Sequence, residues 1–483
     1  MAQLLCLPNE ILHQTLSSLR SDPIDHVSIY STNRNLKCAA LTCRRFRDIA
    51  QILLHKAPLI QSKRSILAKR DGGSRLAPVI RLLRTLLERP DLRVRIETLT
   101  IDFYIHLKGT NGRDEPERFR ITEARDLVKQ MAAAFETKEI TDEHWSKALG
   151  EERDYPLFGL LLSILPNLKK LHIMELSNLD VIQKIFARTH GIDKYPDIPS
   201  LAGLQSLKLE GRQVLSRISE LPSLRALDLN LFISDYGLST LPATFTLTKL
   251  RVNCCFRALR VHSASDWQVY VNWAGMANLL ARVRGLTTLQ LYDESAEKFN
   301  YRRNQIVQLN FAALFAAVES DQSIFETLES LELPTSWIDL EGQSSAPFRT
   351  LQYFKRLRHL KTSSLALVPH RYGQSSPDEE GSTVTGSPQG SISTATSCLP
   401  STIKQLEVHQ SNQATLRWLD DVLRYKDVSF PNIQYLRLEP QSSIRPANLA
   451  ENLQPDNALS SDDIFSFTQR CALSGIKCCE VSF

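Results

Sequence analysis

Cys254 and Cys255, with His262 a short step further on, are the nearest this sequence comes to a nucleophile beside a base. A thiol attacks as its thiolate, so a neighbouring imidazole is the residue type that would activate it. Two adjacent cysteines directly after a strand-like segment serve more simply as small packing residues. Cys478 and Cys479 have the same explanation, because they alternate with Ile476 and Val481 as a closing strand would. The spacings that cradle phosphate, hold catalytic zinc, present a serine elbow or bind a dinucleotide (GxxxxGK[ST], HExxH, GxSxG, GxGxxG) are all absent from the sequence. The expectation is a protein that is not an enzyme, with no cofactor and no metal.

Two further sets of residues invite chemistry and have simpler explanations. Lys63-Arg64 and Lys69-Arg70 could form a nuclear address or a phosphate contact, but pairs beside Ile66 and Leu67 fit the solvated face of a linker helix. Ser376-Pro377 and Ser387-Pro388 could accept proline-directed phosphorylation, since they lie in a stretch of loop composition. The 58 Lys and Arg stand against 53 Asp and Glu with the signs interspersed, which argues against a nucleic-acid partner. Nine cysteines, an odd number without CxxC spacing, fit reduced thiols of the cytoplasm, the nucleus or both. Pro8, Asn9 and Glu10 interrupt any signal-peptide core, and no run approaches the ~20 apolar residues that a membrane span needs.

What positions residues in this chain is a recurring unit: an apolar residue, two variable residues, an apolar residue, one variable residue and another apolar residue. It reads IETLTI from Ile96, LKKLHI from Leu168, LQSLKL from Leu204, LRALDL from Leu224 and LTKLRV from Leu247. It continues as LTTLQL from Leu286, LESLEL from Leu328, LRHLKT from Leu357, IKQLEV from Ile403 and IQYLRL from Ile433, with IKCCEV from Ile476 closing the series. The last three residues of each unit suit a short strand with its outer two side chains on one face and its middle one on the other. One unit cannot cover its apolar face, but stacked units bury one another in a curved parallel sheet. The fold class expected is therefore an α/β solenoid, an irregular leucine-rich-repeat array.

The irregularity is in the spacing, because successive units start between 20 and 72 residues apart, whereas the ordinary leucine-rich period is about 20–29. Helices or insertions must fill the longer intervals. Asp266–Val283, Gln305–Val318, Ala414–Tyr425 and Asp462–Leu473 have apolar residues at helical spacing behind capping residues. Residues 108–155 form a charged insertion with a helical stretch over 122–135 and Trp145 as an anchor, whereas 371–397, rich in Ser, Thr, Gly and Pro, is expected to be a disordered loop.

Residues 1–60 read as a separate helical module, joined by a helical linker over 61–95 to the array at 96–483. In the module, Ile11, Leu12, Thr15, Leu16 and Leu19 share one helical face, and Leu36, Ala39, Ala40, Cys43, Phe46, Ile49, Ala50 and Leu53 share another. Two such helices are too small to bury both faces alone. The text LPNEIL, followed after a connection by ALTCRRFRDIA, resembles the F-box family. That resemblance implies docking on a Skp-type adaptor, and through it on a cullin scaffold, with Leu7, Pro8, Ile11, Leu12, Leu41, Cys43, Arg44 and Phe46 at the matching positions.

With the leucines turned inward, the residues between and beside them line the other face of the sheet. His172, Lys208, Asp228, Arg251, Gln290 and Tyr292 are candidates for binding a target there, as are Glu332, His359, His409, Tyr435 and Arg437. Both charge signs mixed with Tyr and His suit an unidentified protein substrate better than a phosphate backbone. The expectation is the substrate receptor of a Skp-cullin-F-box ubiquitin ligase; the alternative is a leucine-rich scaffold without a ligase connection, its helices acting only as a cap.

Overall fold

A computed structural model describes residues 7–18, 26–61, 77–102, 158, 161–176, 199–211, 221–230, 244–253, 279–292, 322–333, 349–364, 367–368, 398–440 and 459–480. The chain divides into two compact units, Met1–Gly211 with Glu220–Leu224, and Arg212–Ser219 with Arg225–Phe483. The expected helices over 122–135 and 305–318, Trp145, the loop 371–397, the basic pairs at 63–70 and the cysteines at 254 and 255 lie outside the described residues.

The first unit begins with three helices where the sequence pattern suggests two: α1 (Asn9–Ser18), α2 (His26–Thr42) and α3 (Arg44–Lys56). The connection between the two apolar stripes is already helical from His26, and the second stripe is broken at Cys43. Cys43 has extended backbone angles (φ −159, ψ 167) and caps α3, its sulfur accepting a hydrogen bond from the Phe46 N–H. A straight helix would hold Leu36 and Leu53 about 26 Å apart. Here both lie in one buried cluster with Leu12, Leu16, Ile49 and Ala50, and Leu7, Ala39, Ala40, Phe46 and Leu54 pack against it. The break lets one chain fold two apolar stripes onto a third.

The chain then enters a sheet. β1 (Leu59–Gln61) lies across the boundary expected at residue 60 and pairs in parallel with β2 (Thr98–Asp102). Between them come α4 (Ala77–Glu88) and α5 (Pro90–Arg93). Arg93 folds back to donate to the carbonyls of Leu86 at 2.5 Å and Leu87 at 3.3 Å, which the end of α4 would otherwise leave unpaired. β3 (Lys170–Leu176), α6 (Pro199–Ala202) and β4 (Ser206–Gly211) complete the described elements of this unit. The register aligns Leu99 with Leu171 and Leu207, and Ile101 with Ile173 and Leu209, all of them buried.

The second unit repeats this construction. β5 (Ala226–Asn230), β7 (Lys249–Asn253), β9 (Thr288–Tyr292) and β10 (Ser330–Glu332) pair in parallel in that order. β11 (His359–Ser363), β12 (Gln405–Ser411), β13 (Tyr435–Pro440) and β14 (Lys477–Glu480) follow. One row runs Leu227, Leu250, Leu289, Leu331, Leu360, Leu406, Leu436 and Cys478. The fourth residue of each unit from LRALDL to IQYLRL takes this place, whereas in IKCCEV it is the third, so the closing strand is shifted by one residue from the repeat read in the sequence. β6 (Phe245–Thr246) and β8 (Val283–Arg284) form a small parallel pair of their own. Val283, expected at the end of a helix, is therefore in a strand.

The register has a local cause that recurs. At many strand starts one carbonyl of the preceding repeat accepts two successive N–H groups: Glu97 from Lys169 and Lys170, Thr248 from Thr287 and Thr288, Arg358 from Lys404 and Gln405; at β14 the Gln434 carbonyl accepts from Lys477 alone. That fork is made by the second residue of the repeat unit and fixes each strand against its neighbour before the ladder begins. Asn167 and Asn432 add side-chain bonds to the Val94 and Ser401 carbonyls of the repeat before.

Helices behind the strands cover the leucines. α7 (Gln322–Thr327) precedes β10, and a 3₁₀ turn (Arg349–Tyr353) precedes β11. α8 (Gln413–Arg424) and α9 (Lys426–Ser429) precede β13, and α10 (Ser461–Leu473) precedes β14. α8 and α10 lie where the sequence pattern puts helices, each behind a complete capping box, Asn412 with Thr415 and Ser460 with Asp463. Their buried stripes are Leu416, Trp418, Leu419 and Val422, and Ile464, Phe467 and Cys471.

Candidate functional site

The helical module presents two kinds of candidate residue. Leu12 is 1% exposed and belongs to the module's own core, while Leu7 and Phe46 are partly buried against it. Cys43 is the cap of α3. Pro8 and Arg44 are exposed, and so are two large apolar side chains, Ile11 at 43% and Leu41 at 81%. The Pro8 carbonyl accepts the first helical bond of α1, from Leu12 N–H at 3.1 Å. Arg45, which the family resemblance does not mark, is the residue that joins the two ends of the module. Its guanidinium donates to Asn9 Oδ1 at 2.7 Å and to the Leu7 carbonyl at 2.6 Å. The signal for it in the sequence is only the pair of adjacent arginines, one facing out and one turned in.

On the sheets, the target-binding candidates fall on the face opposite the leucines. In the first unit His172 and Lys208 are register partners, both half-buried. Glu97, just before β2, lies 3.5 Å from both Lys56 and Lys169. Burial alone would raise its carboxyl, but the two ammonium groups outweigh that and hold it below the ordinary glutamate value.

In the second unit the middle residues of the strands form a ladder: Asp228, Arg251, Gln290, Glu332, Lys361, Glu407, Arg437 and Cys479. Three acids and three bases alternate along it, and neighbours on it pair at several strands. Arg251 Nη1 lies 3.4 Å from Asp228 Oδ2, and the Tyr292 hydroxyl donates to Asp228 Oδ1 at 2.9 Å. The Arg251 guanidinium also covers the Tyr292 ring, 3.9 Å from its centroid. Gln290 Nε2 donates to Glu332 Oε2 at 2.7 Å, and Arg437 Nη1 lies 3.8 Å from Glu407 Oε2. No run of neighbouring strands in this ladder carries more than one net charge, so it offers no continuous potential to a polyanion.

One pleat further along, His409 is 7% exposed, with its Nδ1 2.6 Å from Glu439 Oε2. Its Nε2 is buried without a hydrogen-bond partner. Burial lowers its proton affinity first; Glu439 and Glu407 raise it, Lys361 and Arg437 lower it, and the balance falls below the ordinary histidine value. His409 is thus neutral at pH 7, donating from Nδ1, with Nε2 as an acceptor. Glu439 lies beyond the repeat unit IQYLRL, and only the longer course of β13 brings it beside His409. One pleat the other way, His359 is exposed, and Tyr435 is hydrogen-bonded with Cys479, which holds the phenol proton more tightly than usual. Among the described residues no cluster of three or more His, Cys, Asp or Glu side chains could hold a metal ion, and no helix is long and apolar enough to cross a membrane.

Parallel strands fixed by a repeated carbonyl fork, leucines stacked at one register and helices behind them define an α/β array of leucine-rich repeats. No family model and no curated protein matches the chain. Similar solved structures include an internalin (inlF) from Listeria monocytogenes strain 4b F2365, 14% identical, covering 68% of this chain and 93% of that one with a TM-score of 0.28. Another is the complex of Rad7 and Elc1 in yeast, 13% identical, covering 92% of this chain and 100% of that one with a TM-score of 0.29. The repeat architecture is carried by the strand registers of the chain itself.

Proposed function

We propose that the chain is a non-catalytic substrate receptor of a Skp-cullin-F-box ubiquitin ligase, its helical module docking on a Skp-type adaptor and its polar ladder face engaging a protein target. The observation that carries this reading is that Ile11 and Leu41 stay exposed although the module already has a core of six buried side chains. Large apolar side chains left in water on a small helical unit are what a partner would cover. Such a receptor raises reaction rate by holding target and conjugating enzyme together, through effective concentration alone.

Leu41→Asp tests it. At 81% exposure the change leaves the core of the module intact, so the helical circular dichroism stays as it is. Binding of a recombinant Skp-type adaptor falls by at least about tenfold, the size expected when one apolar contact at a small interface is replaced by a charge. Binding unchanged by Leu41→Asp, or absent in the unmodified chain, contradicts the reading.

A second reading, a scaffold whose helices only cap the array, is favoured by a specific contact. The Lys56 carbonyl accepts from Glu97 N–H at 3.2 Å and the Pro58 carbonyl from Thr100 N–H at 3.1 Å, so the module runs straight into the first sheet. A cap alone predicts that deleting the residues before Leu59 unfolds the first unit, and that no adaptor is captured by the intact chain.

A further inference from the structure

α10 and β14 are joined by a turn in which Gly475 takes a positive φ of 67°. Gly475 N–H donates to the Ala472 carbonyl and Ile476 N–H to the Cys471 carbonyl, both at 2.9 Å, which is the closure that glycine makes possible at a helix end. This closure turns the chain back so that β14 runs against the helix it has just left. Cys471, fully buried, and Thr468 stand three residues apart on the same face of α10. The Thr468 hydroxyl donates to Cys478 Sγ at 3.8 Å, which sets Cys478 against the turn of α10 that carries Cys471. Both cysteines are thiols in this structure, and Cys478 is half-buried at the place where β5, β7 and β9 to β13 each carry a leucine.

We propose that Cys471 and Cys478 are a site of reversible oxidation, forming a disulfide that ties α10 to β14 when the protein meets a hydroperoxide. The order of events follows from burial. Cys478 is the more accessible thiol, and its hydrogen bond followed by desolvation holds the Cys471 proton well above the ordinary thiol range. Cys478 Sγ therefore attacks one peroxide oxygen; the O–O bond breaks, and the departing hydroxide takes the thiol proton and leaves as water, giving a sulfenic acid. Cys471 Sγ then attacks Cys478 Sγ; the S–O bond breaks, and the leaving hydroxide takes the Cys471 proton as a second water. The two sulfurs lose two electrons, which reduce one peroxide to two waters. A thiol such as glutathione reverses the step by exchange at the more exposed sulfur.

Cys479 is the internal control, because the alternation of β14 turns it to the opposite face, against Tyr435. The test uses the full chain, reduced, exposed to hydrogen peroxide in small excess, alkylated and digested after Lys and Arg. Lys477 lies between the two cysteines, so they fall on separate peptides. The expected product is a linked pair of those peptides that persists in Cys479→Ser, disappears in Cys478→Ser, and forms at least about tenfold faster in the folded chain than in guanidinium. A pair that persists in Cys478→Ser, an equal rate in the denatured chain, or Cys478 recovered as sulfinic acid with Cys471 still open to alkylation each overturns the proposal.

Discussion

His409 shows how a single buried side chain ties the polar face to solution conditions. Its folded proton affinity lies below the unfolded reference of 6.5, and burial is the leading cause. As pH falls below about 6.5, the unfolded chain binds the proton more readily than the folded one, so acid favours unfolding. The stability due to neutral His409 is complete above that pH and is lost as pH falls through the folded value. His409→Gln cannot titrate, and its stability in chemical denaturation therefore changes less steeply than the original chain's between about pH 8 and about pH 5. Equal slopes for the two proteins would show that His409 is not the source of this acid sensitivity. Its place on the polar face is legible in the alternation of IKQLEVH, but its partner is not, because Glu439 follows the apolar pattern of its own repeat rather than belonging to it.

At the scale of elements, the strands were the readable part. Each of the eleven six-residue units overlaps a strand in the structure, ten in the register of the pattern and IKCCEV one residue out of it, since apolar side chains one residue apart can share a buried face only in extended chain. β1, β6 and β8 are two or three residues long and leave no period to detect. The break at Cys43 was hidden for the opposite reason, because the helical period continues through it and only the shared burial of Leu36 and Leu53 requires a turn. Helix starts were legible where a capping residue stands. For α8, Asn412 Oδ1 accepts from Thr415 N–H at 2.9 Å while the Thr415 hydroxyl bonds back to Asn412 N–H at 3.2 Å. Asn412→Ala is expected to destabilise the second unit by about 1 kcal/mol in denaturant titration. A change well under half of that would mean that packing of Trp418 and Leu419, not the cap, decides where α8 begins.

At the scale of the whole molecule, two units share one construction and carry two different kinds of surface. The sheets show partners a self-paired ladder of alternating charge, whereas the helical module shows exposed leucine and isoleucine side chains beside a finished core. The residues that the sequence resemblance marks in that module do not share one environment: Leu12 is core, Leu41 is surface, and Arg45, unmarked, holds α1 to α3. Amide hydrogen exchange of the full chain, with and without a Skp-type adaptor, tests the docking of this module most directly. Exchange is expected to slow over residues 7–18 and 34–56 when the adaptor is present and to stay unchanged along β5 to β14. Identical exchange at 7–18 and 34–56 in both samples, at adaptor concentrations that saturate an authentic receptor, would contradict the proposed role.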